Sequence, residues 1–161
     1  MERRALANPR SGCTCPCAAV AEFRSPLFGM TTRGKQWYFP SVRARLTKDF
    51  TFEAAQTLPN APEGHKCRGV HGHSFKVEVS VEGDVDPKTG WVYDHARISD
   101  AMKSLMKMLD HAYLNNIEGL ENPTIENMAE WFWKKLESQC PGLCEIVVHE
   151  TSTARCVYRG E

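Results

Sequence analysis

Between Val42 and Ala55 the chain reads VRARLTKDFTFEAA, with Leu46, Phe50 and Phe52 on one parity and charged residues on the other. Successive side chains of a strand point to opposite faces, so this alternation predicts a first strand buried on one face. The segment SFKVEVSVEG sets Phe75, Val77, Val79 and Val81 against Lys76, Glu78 and Ser80 and predicts a second strand. Between them, Thr57 to Gly72 is rich in Pro, Gly and His and reads as a loop. After the turn GDVDPKTG the period lengthens. Asp94 offers an N-cap for a helix from His95 to Leu109, in which Ile98, Met102, Leu105, Met106 and Leu109 lie three and four apart on one stripe. DHAYLNNIEGLENP breaks that period, and Thr124 then caps TIENMAEWFWKKLESQC, with Ile125, Met128, Ala129, Phe132 and Leu136 as its stripe and Pro141-Gly142 as its stop. LCEIVVHETSTARCVYRG reads as two short strands around a Ser-Thr-Ala turn. The order β, β, α, α, β, β predicts an α+β domain with an antiparallel sheet and both helices on one face.

Residues 1 to 40 carry neither period. Pro9, Pro16, Pro26 and Pro40 punctuate them, and a poorly ordered extension is expected, followed by one folded domain over 41–161. Met30, which opens MTTRGKQWYF, is a second candidate start. A length of 161 residues suits one domain with a real core. Twenty Lys and Arg balance twenty Asp and Glu, so no basic surplus exists to drive nucleic-acid binding. Seven cysteines, at 13, 15, 17, 67, 140, 144 and 156, form no regular framework, which points to a reducing, cytoplasmic setting. The cluster Cys13, Cys15, Cys17 lacks a nearby Cys or His pair to complete a tetrahedral metal site and reads as incidental thiols. Charged residues interrupt every apolar run, which argues against a membrane span, and the run Cys17 to Ala21 is too short for a secretory core.

Residue types able to do chemistry concentrate in His65-Lys66-Cys67-Arg68-Gly69-Val70-His71-Gly72-His73. In a strand, residues i and i+2 share a side, so His71 and His73 can offer two imidazoles to one metal ion; the same pair also reads as surface histidines at a strand end. Cys67, flanked by Lys66 and Arg68, is a candidate nucleophile or general base, against the plainer alternative of a small buried side chain. Asp110-His111 closes the first helix. A carboxylate beside an imidazole can support a proton shuttle, although a helix C-terminus also favours a cationic histidine for structural reasons alone. Glu150 ends an apolar strand, where a carboxylate must be paired, bind something or be solvated; its two oxygens suit an amidine-like edge such as that of a pterin or guanine.

FTFEAA, PEGHKC, HGHSFKVEV, VDPKTGW, LDHAYLN, GLENPT and VYRGE stand in an order and spacing that resembles the 6-pyruvoyltetrahydropterin synthase family, and most closely its bacterial 6-carboxytetrahydropterin synthase branch of the queuosine pathway. The match runs from about Leu46 to Glu161. The resemblance implies a tunnelling fold, in which a four-stranded antiparallel sheet joins those of other subunits into a β-barrel, and hence a homo-oligomer, a hexamer, with active sites between subunits. It implies the substrate 7,8-dihydroneopterin triphosphate and the products 6-carboxy-5,6,7,8-tetrahydropterin, acetaldehyde and triphosphate. Carried over, His71 and His73 resemble ligands of Zn2+, Cys67 the general base, Asp110 and His111 the proton relay, and Glu150 the carboxylate that holds the pterin and can join the relay. Thr124 and Glu126 fall where the family has further pterin-binding residues. The Cys-x-x-x-His-x-His spacing favours the carboxy branch over the pyruvoyl one. Gln56 stands where the family has a third zinc-binding histidine. An amide oxygen is a weaker donor than imidazole, so weaker zinc binding is expected, and a catalytically impaired pterin-binding protein is the rival expectation.

Overall fold

The computed structural model describes residues 42–161. The extension expected over 1–40, with Cys13, Cys15, Cys17 and Met30, lies outside the described residues. The two patterned strands pair first: β1, Arg43–Gln56, runs antiparallel to β2, His71–Asp84, in a register that sets Phe52 opposite Phe75, Ala54 opposite His73 and Gln56 opposite His71. Opposed residues of an antiparallel pair project to the same side, so the apolar parity of both strands forms one continuous face. Phe52 and Phe75 stack on it with ring centroids 5.1 Å apart.

The chain then leaves the sheet for α1, His95–Leu109, returns for a two-residue strand β3, Ala112–Tyr113, and crosses again as α2, Ile125–Leu136. Both expected caps form: Asp94 Oδ1 accepts from Ala96 N at 2.9 Å, and Thr124 Oγ1 from Asn127 N at 3.3 Å. The chain finishes as β4, Leu143–His149, and β5, Arg155–Tyr158, in the strand order β3-β1-β2-β4-β5. Ile98, Met102, Leu105 and Leu109 of α1 and Met128, Ala129, Phe132 and Leu136 of α2 join Phe52, Phe75, Val77, Val79, Val81, Ile146 and Val148 in one core, so both helices cover the same sheet face.

Two expectations are corrected. The sheet is five-stranded and mixed, because Ala112 and Tyr113 pair in parallel with Ala54 and Ala55. A two-residue strand is too short to carry a period, and long-range bonds hold it: His111 N donates to Glu53 O at 2.6 Å, and Glu53 N donates to Asp110 Oδ1 at 3.1 Å. Strand β2 also begins at His71, three residues before the patterned segment, and β1 runs on to Gln56. The two histidines therefore belong to the sheet. Among the described residues, no helix is long and apolar enough to cross a membrane.

Candidate functional site

The inward face of the β1–β2 ribbon changes character along its length. Phe52 and Phe75 close the apolar core, and the next pairs toward the strand ends are Ala54 with His73 and Gln56 with His71. The same parity that buries the core thus carries two imidazoles and an amide to its margin. Gly72 between the histidines is tightly constrained, since a Cβ there would stand 3.1 Å from the Ala54 carbonyl oxygen. The His71 and His73 rings meet edge to face with centroids 5.2 Å apart, and His73 leans on Phe75 at 5.6 Å.

Glu150 reaches this group from the other side. It follows β4, and its backbone N–H donates to the Ala154 carbonyl at 3.2 Å across the β4–β5 turn. Its Oε1 accepts from Gln56 Nε2 at 2.9 Å and lies 3.4 Å from His73 Nε2. Ligand atoms of His71, His73 and Glu150 lie within 4.8 Å of one another, close enough for one ion.

The hydrogen bonds around His71 leave one nitrogen free for that purpose. Its Nδ1 is 2.8 Å from the Gly69 carbonyl, which can only accept, so Nδ1 carries the proton and Nε2 keeps a bare lone pair. A metal-binding imidazole is commonly oriented in this way, by a carbonyl on its other nitrogen. Among the described residues, buried His71 Nε2 has no hydrogen-bond partner, and the same is true of Gln56 Oε1. Orphaned buried acceptors are costly in a folded chain, and a cation satisfies both. The donor set therefore fits a divalent metal.

The remaining candidates occupy distinct places. Asp110 and His111 form a pair, Oδ1 to Nδ1 at 3.0 Å, on the exposed connection from α1 to β3. The Glu53 N–H first, and the His111 ring second, hold the Asp110 carboxyl below the usual aspartate range. His111 has a left-handed backbone, φ 58°, which turns the chain from the helix into β3. It shares with His73 the lining of an open groove of about 400 Å³, together with Glu53, Ala54, Ala55 and Gly72. Thus His111 and His73 border one space.

Cys67 sits half-buried in the 3-10 turn Lys66–Arg68. Its carbonyl accepts from Leu58 N at 2.8 Å, and its own N–H donates to His65 Nδ1 at 3.2 Å. Among the described residues its sulfur makes no hydrogen bond to the His71, His73, Glu150 group. The Arg68 guanidinium donates to the Pro59 and Ala61 carbonyls, at 3.1 and 2.7 Å, and braces the loop that carries Cys67. Thr124 acts as the α2 cap, and Glu126 lies in its first turn. Burial first, and the Glu126 charge second, push the Cys156 thiol up.

The fold is that of a known group of proteins. Residues 45–161 match the family model described as 6-pyruvoyl tetrahydropterin synthase. The chain belongs to that family. It is 44% identical over 119 residues to the 6-carboxy-5,6,7,8-tetrahydropterin synthase of Synechocystis sp., a match covering 70% of this chain and 91% of the relative. It is 35% identical over 139 residues to the Homo sapiens 6-pyruvoyl tetrahydrobiopterin synthase, covering 74% and 93%. The dihydroneopterin monophosphate aldolase of Pyrococcus furiosus is 35% identical over 101 residues, covering 63% and 82%. Among solved structures, Caenorhabditis elegans 6-pyruvoyl tetrahydropterin synthase superposes with a TM-score of 0.70 at 27% identity, over 76% of this chain and 99% of that one. The family is one of pterin enzymes, and the comparisons support pterin lyase chemistry for this chain.

Several contributors to the site carry no signal in the sequence. The Gly69 carbonyl that orients His71 and the Gln56–Glu150 bond depend on backbone placement and on a separation of 94 residues. Asn115 clamps the exit of β1, its Oδ1 accepting from Thr57 N and its Nδ2 donating to Thr57 O, both at 2.9 Å. Tyr113 OH adds a bond to Thr57 Oγ1 at 2.7 Å. Both lie within LDHAYLN, where proximity to Asp110-His111 was the available hint.

Proposed function

We propose that the chain is a zinc-dependent 6-carboxy-5,6,7,8-tetrahydropterin synthase, converting 7,8-dihydroneopterin triphosphate to 6-carboxytetrahydropterin, acetaldehyde and triphosphate. On this reading residues 41–161 are the catalytic domain of a cytoplasmic homo-oligomer that serves queuosine synthesis. The observation that carries it is the convergence of His71, His73 and Glu150 within 4.8 Å, beside the buried Gln56, in a chain 44% identical to the Synechocystis enzyme.

His71 and His73, with Gln56 at the third position, would hold the zinc, which would supply Lewis-acid polarisation of the side-chain hydroxyls of the pterin. Glu150 holds the ring, its carboxylate accepting N–H groups of the pterin edge, and Thr124 and Glu126 are assigned further pterin contacts. Cys67, as the thiolate, accepts a proton from a side-chain carbon. The electron pair of the broken C–H bond stays on the substrate, and the braced loop limits the thiol's positions. His111 returns or removes protons at Nε2. The Asp110 carboxylate accepts the bond from Nδ1 and so fixes the tautomer in which Nε2 is free to exchange. The short Cys-x-x-x-His-x-His interval supports the carboxy product.

Incubation of the purified chain with 7,8-dihydroneopterin triphosphate, followed by mass spectrometry, tests the assignment. Carboxytetrahydropterin with acetaldehyde is expected. A pyruvoyl product assigns the chain to the other branch, and an aldolase product to the Pyrococcus-like activity. Pterin binding without turnover would identify a binding protein impaired by Gln56.

A further inference from the structure

The two buried, unpartnered acceptors, Gln56 Oε1 and His71 Nε2, belong to residues directly opposed on the same sheet face. The amide cannot rotate to relieve its share. Gln56 is fully buried, and its Nε2 is 2.9 Å from the Glu150 carboxylate, which only accepts. Exchanging the amide's ends would set oxygen against oxygen. Glu150 therefore determines which end of the Gln56 amide is left without a partner, and that end is a hydrogen-free oxygen.

We propose that Gln56 binds the metal through Oε1, aimed by Glu150, so that this chain has a centre of two imidazole nitrogens and one amide oxygen. The inference rests on the reading above that His71 and His73 hold a divalent cation. Its consequence is a changed selectivity. Imidazole favours zinc, whereas carbonyl oxygen suits harder ions such as manganese, so this centre discriminates less between the two than three imidazoles would. Glu150 is here a positioning residue. One of its carboxylate oxygens is shared by Gln56 and His73, so the group assigned to the pterin also borders the metal centre.

The full chain, stripped by chelator, is titrated with Co(II), Zn(II) and Mn(II) in competition with a chromophoric chelator, and the Co(II) absorption bands are recorded. His71→Ala should abolish binding. Gln56→Leu should weaken Co(II) binding at least about tenfold and alter its bands, and Gln56→His should restore affinity and raise the zinc-to-manganese preference at least about tenfold. Glu150→Ala should cost about ten- to a hundredfold in the native background, the scale for losing a group that orients a ligand. In the Gln56→Leu background, where no amide is left to aim, it should cost far less. Unchanged affinity and bands in Gln56→Leu overturn the proposal while His71→Ala still upholds the metal reading. A loss that Gln56→His fails to restore, or equal effects of Glu150→Ala in both backgrounds, also overturn it. If the native chain binds none of the three ions, the metal reading itself falls.

Discussion

At the scale of single residues, the site is built from side chains whose neighbours leave them one task. The Gly69 carbonyl occupies one nitrogen of His71 and exposes the other to the ribbon margin, and Glu150 does the same for the two ends of the Gln56 amide. The other cysteines of the described region are less suited to chemistry. Burial pushes the thiols of Cys140, Cys144 and Cys156 up, so they stay protonated near neutral pH. Cys67 instead lies on a braced loop, its sulfur without a hydrogen bond among the described residues. If it is the base, Cys67→Ala should retain metal, measured by elemental analysis, and lose about 10²- to 10⁴-fold in turnover. Turnover within threefold of the native chain would remove the thiol from the mechanism.

At the scale of elements, the sheet is asymmetric, with helices on one face and a polar lattice on the other. On the covered side Phe132 of α2 is completely buried in the core. Replacing it by Ala removes an aromatic ring the surroundings cannot refill, and should cost about 3–5 kcal/mol. Urea unfolding should show a lowered midpoint with an unchanged slope. On the open side, Lys76 bonds to Asp49 and Glu78 at 2.9 and 2.8 Å, and His149 Nε2 lies 2.9 Å from the same Glu78 oxygen. Lys76 first, partly opposed by burial, and then His149 hold the Glu78 carboxyl below the usual glutamate range. The unfolded chain takes up this proton at the ordinary value, about 4.3, and the folded chain only at lower pH. The stability Glu78 contributes is therefore present above that value and lost as pH falls through the folded one. Glu78→Gln should cost no more than about 1 kcal/mol at neutral pH, and the gap to the native chain should shrink on acidification. A gap that widens toward low pH would contradict the pairing. Gly142 sets the entry to β4, where its φ of 84° and the 2.8 Å from a would-be Cβ to the Glu82 carbonyl oxygen admit only glycine.

At the scale of the molecule, the chain alone leaves an unfinished surface. β5 is an edge strand, the face bearing Lys76, Glu78 and His149 carries no helix, and Trp91, Val42 and Val157 stand 59%, 64% and 44% exposed. An open sheet edge readily pairs with another chain. If the proposed homo-oligomer forms by covering these features, native mass spectrometry should return six subunits. A persistent monomer at micromolar concentration would contradict that assembly.

The sequence by itself determined the elements and the apolar face. Strands β1 and β2, both helix stripes, and the Asp94 and Thr124 caps follow from local periods and hydrogen-bonding capacity, which act over a few residues. His71 and His73 were legible as a pair because i and i+2 share a face in any strand. What the sequence could not carry was the mating of distant segments. Ala112 and Tyr113 become a strand only because Ala54 and Ala55 of β1 pair with them, and no period exists in two residues. Gln56 was legible as an anomaly, but its bond to Glu150 joins residues 94 positions apart. Only the tertiary structure decided that bond, since it depends on the β1–β2 register and on where the β4–β5 turn brings the carboxylate, and both are set by how the core packs.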